Sequence, residues 1–339
     1  MILAGGMSTR LYPLTRCVPK PLVPVSGQPI AAHILRYLAS YGFDQIAINV
    51  HYLADMIEHE LGDGSKFGVE LRYLHEHELT GSAGAVKSME SFLDEPFVVV
   101  GCDDLTDFDL GTLAAYREEK KAIASIGLVE ADEVDQYGVV ILDGDGKIVD
   151  FQEKPARGTE RSHLVNTGIY AFDPAIFERI PANTFYDFGK QVFPGLQQDG
   201  AAFYGQIDRR AYWADVGTPG EYRRATRDVL AGKVQVRGVS AERVAPDVTL
   251  GDGVQMGDDV RVGSGARIGS RVRLNGPTVI GRNVRVGDDA TLDASIVWDG
   301  ATIGAGAKLR DAIVGIDYTV DAGAELNGSV VAPEAVERA

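Results

Sequence analysis

Leu3-Ala4-Gly5-Gly6-Met7-Ser8-Thr9-Arg10-Leu11-Tyr12-Pro13-Leu14-Thr15, followed by Pro19-Lys20-Pro21, is the stretch around which the chain is organised. A short apolar run leads into paired glycines, then small hydroxyl residues, then Arg10 and Lys20. Glycine lets backbone N–H groups approach a ligand where a Cβ would clash. Successive N–H groups on such a turn form an anion-binding concavity. The local charge agrees: residues 1–43 hold Arg10, Arg16, Lys20 and Arg36 and no Asp or Glu, whereas the 339-residue chain has 49 acids against 33 bases, a formal −16. A cationic, glycine-turned opening on so acidic a chain points to a phosphate site. The plainer reading is a βα turn with scattered surface bases. Neither G-x-x-x-x-G-K-[ST] nor G-x-G-x-x-G occurs at this turn.

The bulk numbers narrow the class. A chain of 339 residues suggests one or two domains. Its 45% hydrophobic content is ordinary for a globular protein. No apolar run approaches the roughly 20 residues needed to span a bilayer. No signal peptide is expected, because the chain enters its phosphate loop at once. Cys17 and Cys102 sit in unlike contexts and imply no disulfide framework. These features predict a cytoplasmic protein. The acidic balance excludes nucleic acid as a partner, since that affinity depends on neutralising phosphates. The first strand should be longer than Ile2-Leu3, so the true start is expected two or three residues earlier.

Up to about residue 232, short β-like runs alternate with helical patterns. Pro29 to Tyr41 reads as a helix stopped by Gly42. Gln45–Val50 and Leu71–Leu74 read as strands, and Leu53–Leu61, Ala83–Leu93 and Leu110–Lys120 as helices. Phe97–Val100 is continuously apolar, as in a buried parallel strand, and Ile123–Val129 returns to strand. The alternation predicts an α/β, doubly wound sheet with ligands beyond the carboxyl ends of its strands. After about residue 246 apolar residues recur every six: Val248, Val254, Val260, Ala266, Val272, then Val284, Ala290 and Ile296. A second series runs two behind, through Leu250, Met256, Val262, Ile268, Leu274, Ile280, Val286 and Leu292, many followed by glycine. This is the hexapeptide repeat of a left-handed parallel β-helix. A minor phase slip is expected near Asn275-Gly276-Pro277 and a clearer one after Trp298. The expected division is a catalytic domain over 1–232, a linker over 233–246 and a β-helix over 247–339.

Five further stretches could carry chemistry. Glu76-His77-Glu78-Leu79-Thr80-Gly81-Ser82-Ala83-Gly84 puts two glycines at a helix start, suited either to backing a flat base or to a helix capped by Ser82. Gly101-Cys102-Asp103-Asp104 puts carboxylates at the end of a buried strand, as Mg²⁺ sites or loop caps do. Phe151-Gln152-Glu153-Lys154-Pro155 and Asn166-Thr167-Gly168-Ile169-Tyr170 are individually weak, readable as a surface turn and as a strand with an inward Asn bound to backbone. Tyr212-Trp213-Ala214-Asp215-Val216-Gly217-Thr218-Pro219 contains an N-cap and first helical turn at Thr218-Pro219. Tyr186-Asp187-Phe188-Gly189-Lys190 has no firm role beyond a loop near a sugar pocket.

In this order the motifs resemble those of the sugar-nucleotide pyrophosphorylases, nucleotidyltransferases that make NDP-sugars. That family reads close to L-A-G-G-x-G-T-R-L-x-P-L-T and then P-K-P-x-x-P-V, with which Arg10, Leu11, Pro13, Leu14, Thr15, Pro19, Lys20, Pro21, Pro24 and Val25 fall in register. Five motifs match over about 220 residues. The resemblance is nearest to mannose-1-phosphate guanylyltransferase-like members that carry a hexapeptide-repeat domain. Two departures are Ser8 and Cys102, each where the family has glycine. At Ser8 a positive φ would cost about 1 kcal/mol, and Cys102 would slightly crowd the metal site.

The resemblance implies a mixed, Rossmann-like (GT-A-like) sheet and the reaction NTP plus sugar 1-phosphate to NDP-sugar plus pyrophosphate. It implies that Leu3, Ala4, Gly5, Gly6, Ser8, Thr9 and Arg10 hold the triphosphate, and that Glu78, Gly81, Ser82 and Gly84 hold the base. Gly138, Glu153, Lys154 and Asn166 would hold the sugar phosphate, and Asp103 and Asp215 the cofactor Mg²⁺. Catalysis would rest on Arg10, Lys20, Asp103, Lys154 and Asp215. GTP with mannose 1-phosphate is favoured. Glucose-1-phosphate uridylyl, thymidylyl or adenylyl transfer is the alternative, and a non-catalytic NDP-sugar-binding regulatory subunit is an alternative of another kind. An acyltransferase β-helix would need a histidine base, and all six histidines precede residue 164. The β-helix is expected to support a homo-oligomer.

Overall fold

A computed structural model describes residues 1–239 and 242–334. Residues 240 and 241 of the expected linker and 335–339 of the expected β-helix lie outside the described residues. The chain forms two compact units that do not follow chain order. One joins Met1–Gly6 to Ile34–Trp213; the other joins Met7–His33 to the chain from Ala214 onward.

The first unit is built on a mixed sheet, nine-stranded among the described residues. Ile2–Leu3 lies between Gln45–Val50 and Phe97–Gly101, parallel to both, so that Leu3 stands opposite Asn49 on one side and Gly101 on the other. Glu70–His75 extends the parallel part. Leu164–Phe172 runs antiparallel to Phe97–Gly101 and to Ala124–Glu130, and the hairpin of Gly138–Leu142 and Ile148–Glu153 completes that side. The continuous apolar run of Phe97–Val100 is buried on both faces, as a central strand requires. Phe172, Phe188, Phe193 and Phe203 pack in offset stacks at centroid distances of 4.9–5.6 Å. Such pairs stabilise beyond the area they bury, by about 0.5–1.5 kcal/mol each.

Most expected elements appear with small shifts, including helices Ile30–Ala39, Ala54–Leu61 and Leu110–Glu119. The helix expected over Ala83–Leu93 is instead Gly81–Lys87. It starts two residues early because Ser82 does not cap it: the Ser82 hydroxyl donates to Asp187 Oδ2 at 2.9 Å and accepts from the Phe188 N–H at 2.9 Å.

In the second unit, fifteen short strands form three parallel sheets of five among the described residues, the three-sided left-handed β-helix that the repeat predicts. Thr249, Arg267 and Arg285 stack at one register, eighteen residues apart, which is three hexapeptides per coil. The phase slip does not fall after Trp298. It falls at Thr291–Ile296, where one corner shortens, and the later coils keep seventeen residues, as in Thr291 to Lys308 to Glu325. Ser295 therefore takes the inward place expected of Ile296, and Val297 rather than Ile296 joins the β-helix core. Ser295 is satisfied there by Thr278 Oγ1, the Asp293 carbonyl and the Ala312 N–H.

The helix Pro219–Leu230 docks on the β-helix within this unit. The Tyr222 ring meets Trp298 edge-on at 6.3 Å, and Arg223 donates to the Asp311 and Gly328 carbonyls. Among the described residues no helix is long and apolar enough to cross a membrane.

Candidate active site

The first unit supplies the start of the glycine loop. The Ala4 N–H donates to Asn49 Oδ1 at 2.9 Å, and Asn49 Nδ2 donates to Glu76. Glu76 also accepts from the Thr80 N–H and hydroxyl, and it is 8% exposed. A carboxylate so buried is tolerable because these donors satisfy it. Gly5 is required by this network: a Cβ would stand 2.8 Å from Asn49 Nδ2 and 2.9 Å from Glu76 Oε2. Gly6 differs, since a Cβ there would meet nothing within 4 Å. The open side of Gly6 is where a phosphate can approach the backbone. Glu78, the acid expected at the base, is exposed, and Glu76 does the inward work two residues earlier. Neither Glu76 nor Asn49 stands out in sequence, because their pairing spans 27 residues.

The loop expected at the base rests on the segment around Tyr186. The Ala83 and Gly84 N–H groups donate to the Tyr186 carbonyl at 3.0 Å. Gly81 has φ +80, and a Cβ on it would lie 2.4 Å from the Tyr186 carbonyl oxygen. Ser82 grips Asp187 and Phe188. The stretch that sequence left without a firm role is thus the buttress of this loop.

At the end of Phe97–Gly101 the two acids have different surroundings. The Asp104 carboxylate accepts from the Trp213 indole N–H at 3.0 Å and the Gly101 N–H at 3.1 Å, which makes it a structural acid. Gly101 makes room for both, since a Cβ would stand 2.6 Å from Asp103 Oδ1 and 2.7 Å from Asp104 Oδ2. Cys102 is 7% exposed, and its N–H donates to the Leu3 carbonyl. Among the described residues no group of three or more His, Cys, Asp or Glu is placed to hold a metal alone. A donor set of one or two carboxylates suits Mg²⁺, which keeps waters and takes further oxygens from phosphates.

The sugar-phosphate candidates lie on the antiparallel side. Glu153 pairs with Gly138 across the hairpin. Lys154 is exposed and has φ 46, a left-handed conformation that costs an L-residue about 1–2 kcal/mol. Its N–H is held by the Tyr137 carbonyl at 3.0 Å. Asn166 accepts from the Gly168 N–H and donates to Tyr170, spanning a bulge at which Gly168 has φ +78. The plainer reading of Asn166, a strand Asn bound to backbone, is therefore present in the structure.

The second unit holds Ser8, Thr9, Arg10, Lys20 and Asp215. Ser8 has φ 53, the strained conformation expected if serine replaces glycine there. Thr15 holds the strain in place, its hydroxyl donating to the Ser8 carbonyl at 2.8 Å. Thr9 opens the turn Thr9–Leu11 and is exposed. Lys20 Nζ lies 3.5 Å from Asp215 with its side chain only 7% exposed, and the Arg10 guanidinium lies 3.7 Å from the same carboxylate. A Cβ on Gly217 would stand 2.9 Å from both Arg10 and Asp215, so glycine is needed for this approach. Thr218 caps the following helix through the Glu221 N–H, as its sequence predicts. The predicted residues thus divide between the units: Ser8, Thr9, Arg10, Lys20 and Asp215 belong to the second, where Arg10 and Lys20 meet Asp215, and the others belong to the first.

Lys20, buried beside Asp215 with Arg10 close by, is a set of charges suited to chemistry on phosphates. Residues 1–232 match the family described as Nucleotidyl transferase, and residues 258–338 match the GMPPB C-terminal domain. The chain belongs to the nucleotidyl transferase family. It is 36% identical to a UTP–glucose-1-phosphate uridylyltransferase of Synechocystis, covering 92% of this chain and 85% of that protein. It is 32% identical to a mannose-1-phosphate guanylyltransferase of Mycobacterium tuberculosis, covering 90% and 81%. It is 35% identical to the mannose-1-phosphate guanylyltransferase catalytic subunit beta of Drosophila pseudoobscura pseudoobscura, covering 75% and 66%.

Proposed function

We propose that this protein converts an NTP and a sugar 1-phosphate to an NDP-sugar and pyrophosphate, with GTP and mannose 1-phosphate as the pair. The observation that carries the reaction class is the convergence of Lys20 and Arg10 on Asp215. The nucleophile is a phosphate oxygen, ionised at neutral pH, so no side chain must remove a proton. What the reaction needs is alignment and charge neutralisation between two anions. Two unit charges 4 Å apart repel by about 4 kcal/mol at an effective dielectric of about 20.

In this reading the Gly5–Gly6 backbone receives the triphosphate, Arg10 meets the departing phosphates, and Lys20 bridges the phosphate region. Lys154 neutralises the sugar phosphate, while Glu153 and Asn166 accept from or donate to sugar hydroxyls. Gly81, Ser82 and Gly84 shape the base site, with Glu78 at its rim. Asp103 and Asp215 would hold Mg²⁺, which when bound supplies further neutralisation of the phosphates. The proposal places the protein in the cytoplasm as a homo-oligomer formed through its β-helix; sedimentation showing monomer alone would end that part.

The uridylyl reading for glucose 1-phosphate is favoured by the identity of 36% over 92% of the chain with a protein of that name. A matrix of GTP, UTP, dTTP and ATP against mannose and glucose 1-phosphates, scored by pyrophosphate release, decides between them. Fastest turnover with GTP and mannose 1-phosphate is expected. Turnover with UTP and glucose 1-phosphate instead would replace the substrate pair, and none with any pair would remove the reaction.

A further inference from the structure

Glu76 is a carboxylate held in a costly place. It is 8% exposed, and among the described residues no cation pairs with it. Glutamate is almost never buried unless its charge is compensated. The compensation here is three hydrogen bonds from two segments. Asn49 Nδ2 donates to one carboxylate oxygen at 2.5 Å, and the Thr80 N–H and hydroxyl donate to the other at 3.0 and 2.6 Å. The backbone of Glu76 is pinned as well, its N–H by the Val50 carbonyl at 2.9 Å and its carbonyl by His51 Nδ1 at 2.7 Å.

The two donating segments lead to different loops of the candidate site. Asn49 is 4% exposed, and its Oδ1 accepts from the Ala4 N–H at the start of the glycine loop. The pair lies against Gly5, whose Cβ it would exclude. Thr80 precedes the helix Gly81–Lys87, and its carbonyl accepts from the Tyr186 N–H at 2.8 Å. A continuous path of hydrogen bonds thus runs from Ala4 through Asn49, Glu76 and Thr80 to Tyr186. Both ends fix the Asn49 amide: a flip would set two donors together at Ala4 and two acceptors together at Glu76. None of these bonds involves Gly138, Glu153, Lys154 or Asn166.

We propose that Asn49 and Glu76 are positioning residues that couple the triphosphate loop to the base loop, so that NTP binding depends on them and sugar phosphate binding does not. The inference rests on the proposed assignment of those two loops. Asn49 acts through the Ala4 N–H, and Glu76 acts through Thr80 and Asn49. Donors and acceptors matched at every step of a buried path hold the two loops in one relation. A mismatch at any step leaves a desolvated group unpaired, which the path can relieve only by moving one loop away from the other.

The test reverses the polarity of the pair. In Glu76→Gln every amide orientation sets two donors together, at Asn49, at Thr80 or, if Asn49 turns, at Ala4. In Asn49→Asp two carboxylates meet. In the double variant the carboxylate moves to position 49, where it accepts from the Ala4 N–H and from the new amide, whose oxygen still accepts from Thr80. Net charge is that of the wild type, and every bond of the path is restored. With the purified full chain, the shift in Tm caused by GTP, UTP, dTTP or ATP with MgCl2 reads nucleotide binding. Steady-state kinetics with the best substrate pair read the split. Each single variant should lose the shift from the preferred NTP and raise its KM about tenfold or more, the scale of one misdirected bond to a charged group, while the KM for the sugar phosphate stays within about twofold. The double variant should regain the shift and bring the KM for NTP within about threefold of wild type. Thr80→Val removes one hydroxyl and should raise that KM about threefold, which keeps the test decisive if a single variant does not fold. Single variants that keep the shift, two KM values that rise together, or a double variant as impaired as the singles overturn the coupling. A lowered Tm with both KM values unchanged makes the pair merely structural and also overturns it. Nucleotide binding without turnover removes the proposed reaction and leaves the unfolding arm to decide the coupling, so the two failures are distinguishable; a wild type that no NTP stabilises removes both.

Discussion

Lys20→Met tests the site most directly. The substitution keeps an unbranched apolar stem in a position whose side chain is 7% exposed, and it removes only the ammonium 3.5 Å from Asp215. At an effective dielectric of about 20 that attraction is about 4–5 kcal/mol. Removing one partner of a buried pair typically destabilises by about 3–5 kcal/mol, because the other charge stays desolvated. Here Asp215 is 20% exposed and keeps Arg10 at 3.7 Å, itself 61% exposed and so a weak substitute. A loss of about 2–3 kcal/mol in chemical denaturation is therefore expected. The double variant Lys20→Met with Asp215→Asn should lose less than the sum of the two single losses, since the orphaned charge is then gone. Catalysis should fall further. An ammonium worth about 4 kcal/mol to a phosphate-rich transition state corresponds to about a thousandfold in kcat/KM. A Lys20→Met enzyme within tenfold of wild type, or strict additivity in the cycle, would refute the assignment.

Asp103→Asn should nearly abolish pyrophosphate release with an unchanged unfolding midpoint, whereas Asp104→Asn, which loses a carboxylate bonded by Trp213 and Gly101, should lower the midpoint; the reverse pattern would exchange their roles. Gly81→Ala should raise the KM for NTP and destabilise by about 2 kcal/mol or more, because it combines a forbidden φ with a clash on the Tyr186 carbonyl. Tyr222→Phe removes a hydroxyl that donates to Pro24 and accepts from Trp298. It is expected to cost about 2–3 kcal/mol in urea unfolding, and a neutral outcome would deny it a role in holding the Lys20 loop. Chelation by EDTA should stop turnover without moving the Tm, since the described residues build no metal cage of their own.

The sequence by itself determined what local spacing encodes. Paired glycines before Arg10, the alternation of strand and helix through Val129, and the six-residue apolar period are patterns within a few residues or a fixed repeat. Each names its element without knowledge of any distant partner. Even Ser8's strain was legible, because a glycine-like turn position constrains φ locally. Tertiary structure alone decided which of several similar residues works. Glu76 rather than Glu78 lies inward because Asn49 and Thr80 meet it there. Asp104 is structural because Trp213, 109 residues away, donates to it. Ser82 abandons its cap for Asp187, 105 residues on. The corner at Thr291–Ile296 shortens where Ser295 finds three polar partners. Burial and hydrogen bonding across such separations are set by which surfaces meet, and the residues themselves carry no mark of it. The grouping of Met7–His33 with the chain after Ala214, which brings Arg10 and Lys20 to Asp215, is of the same kind.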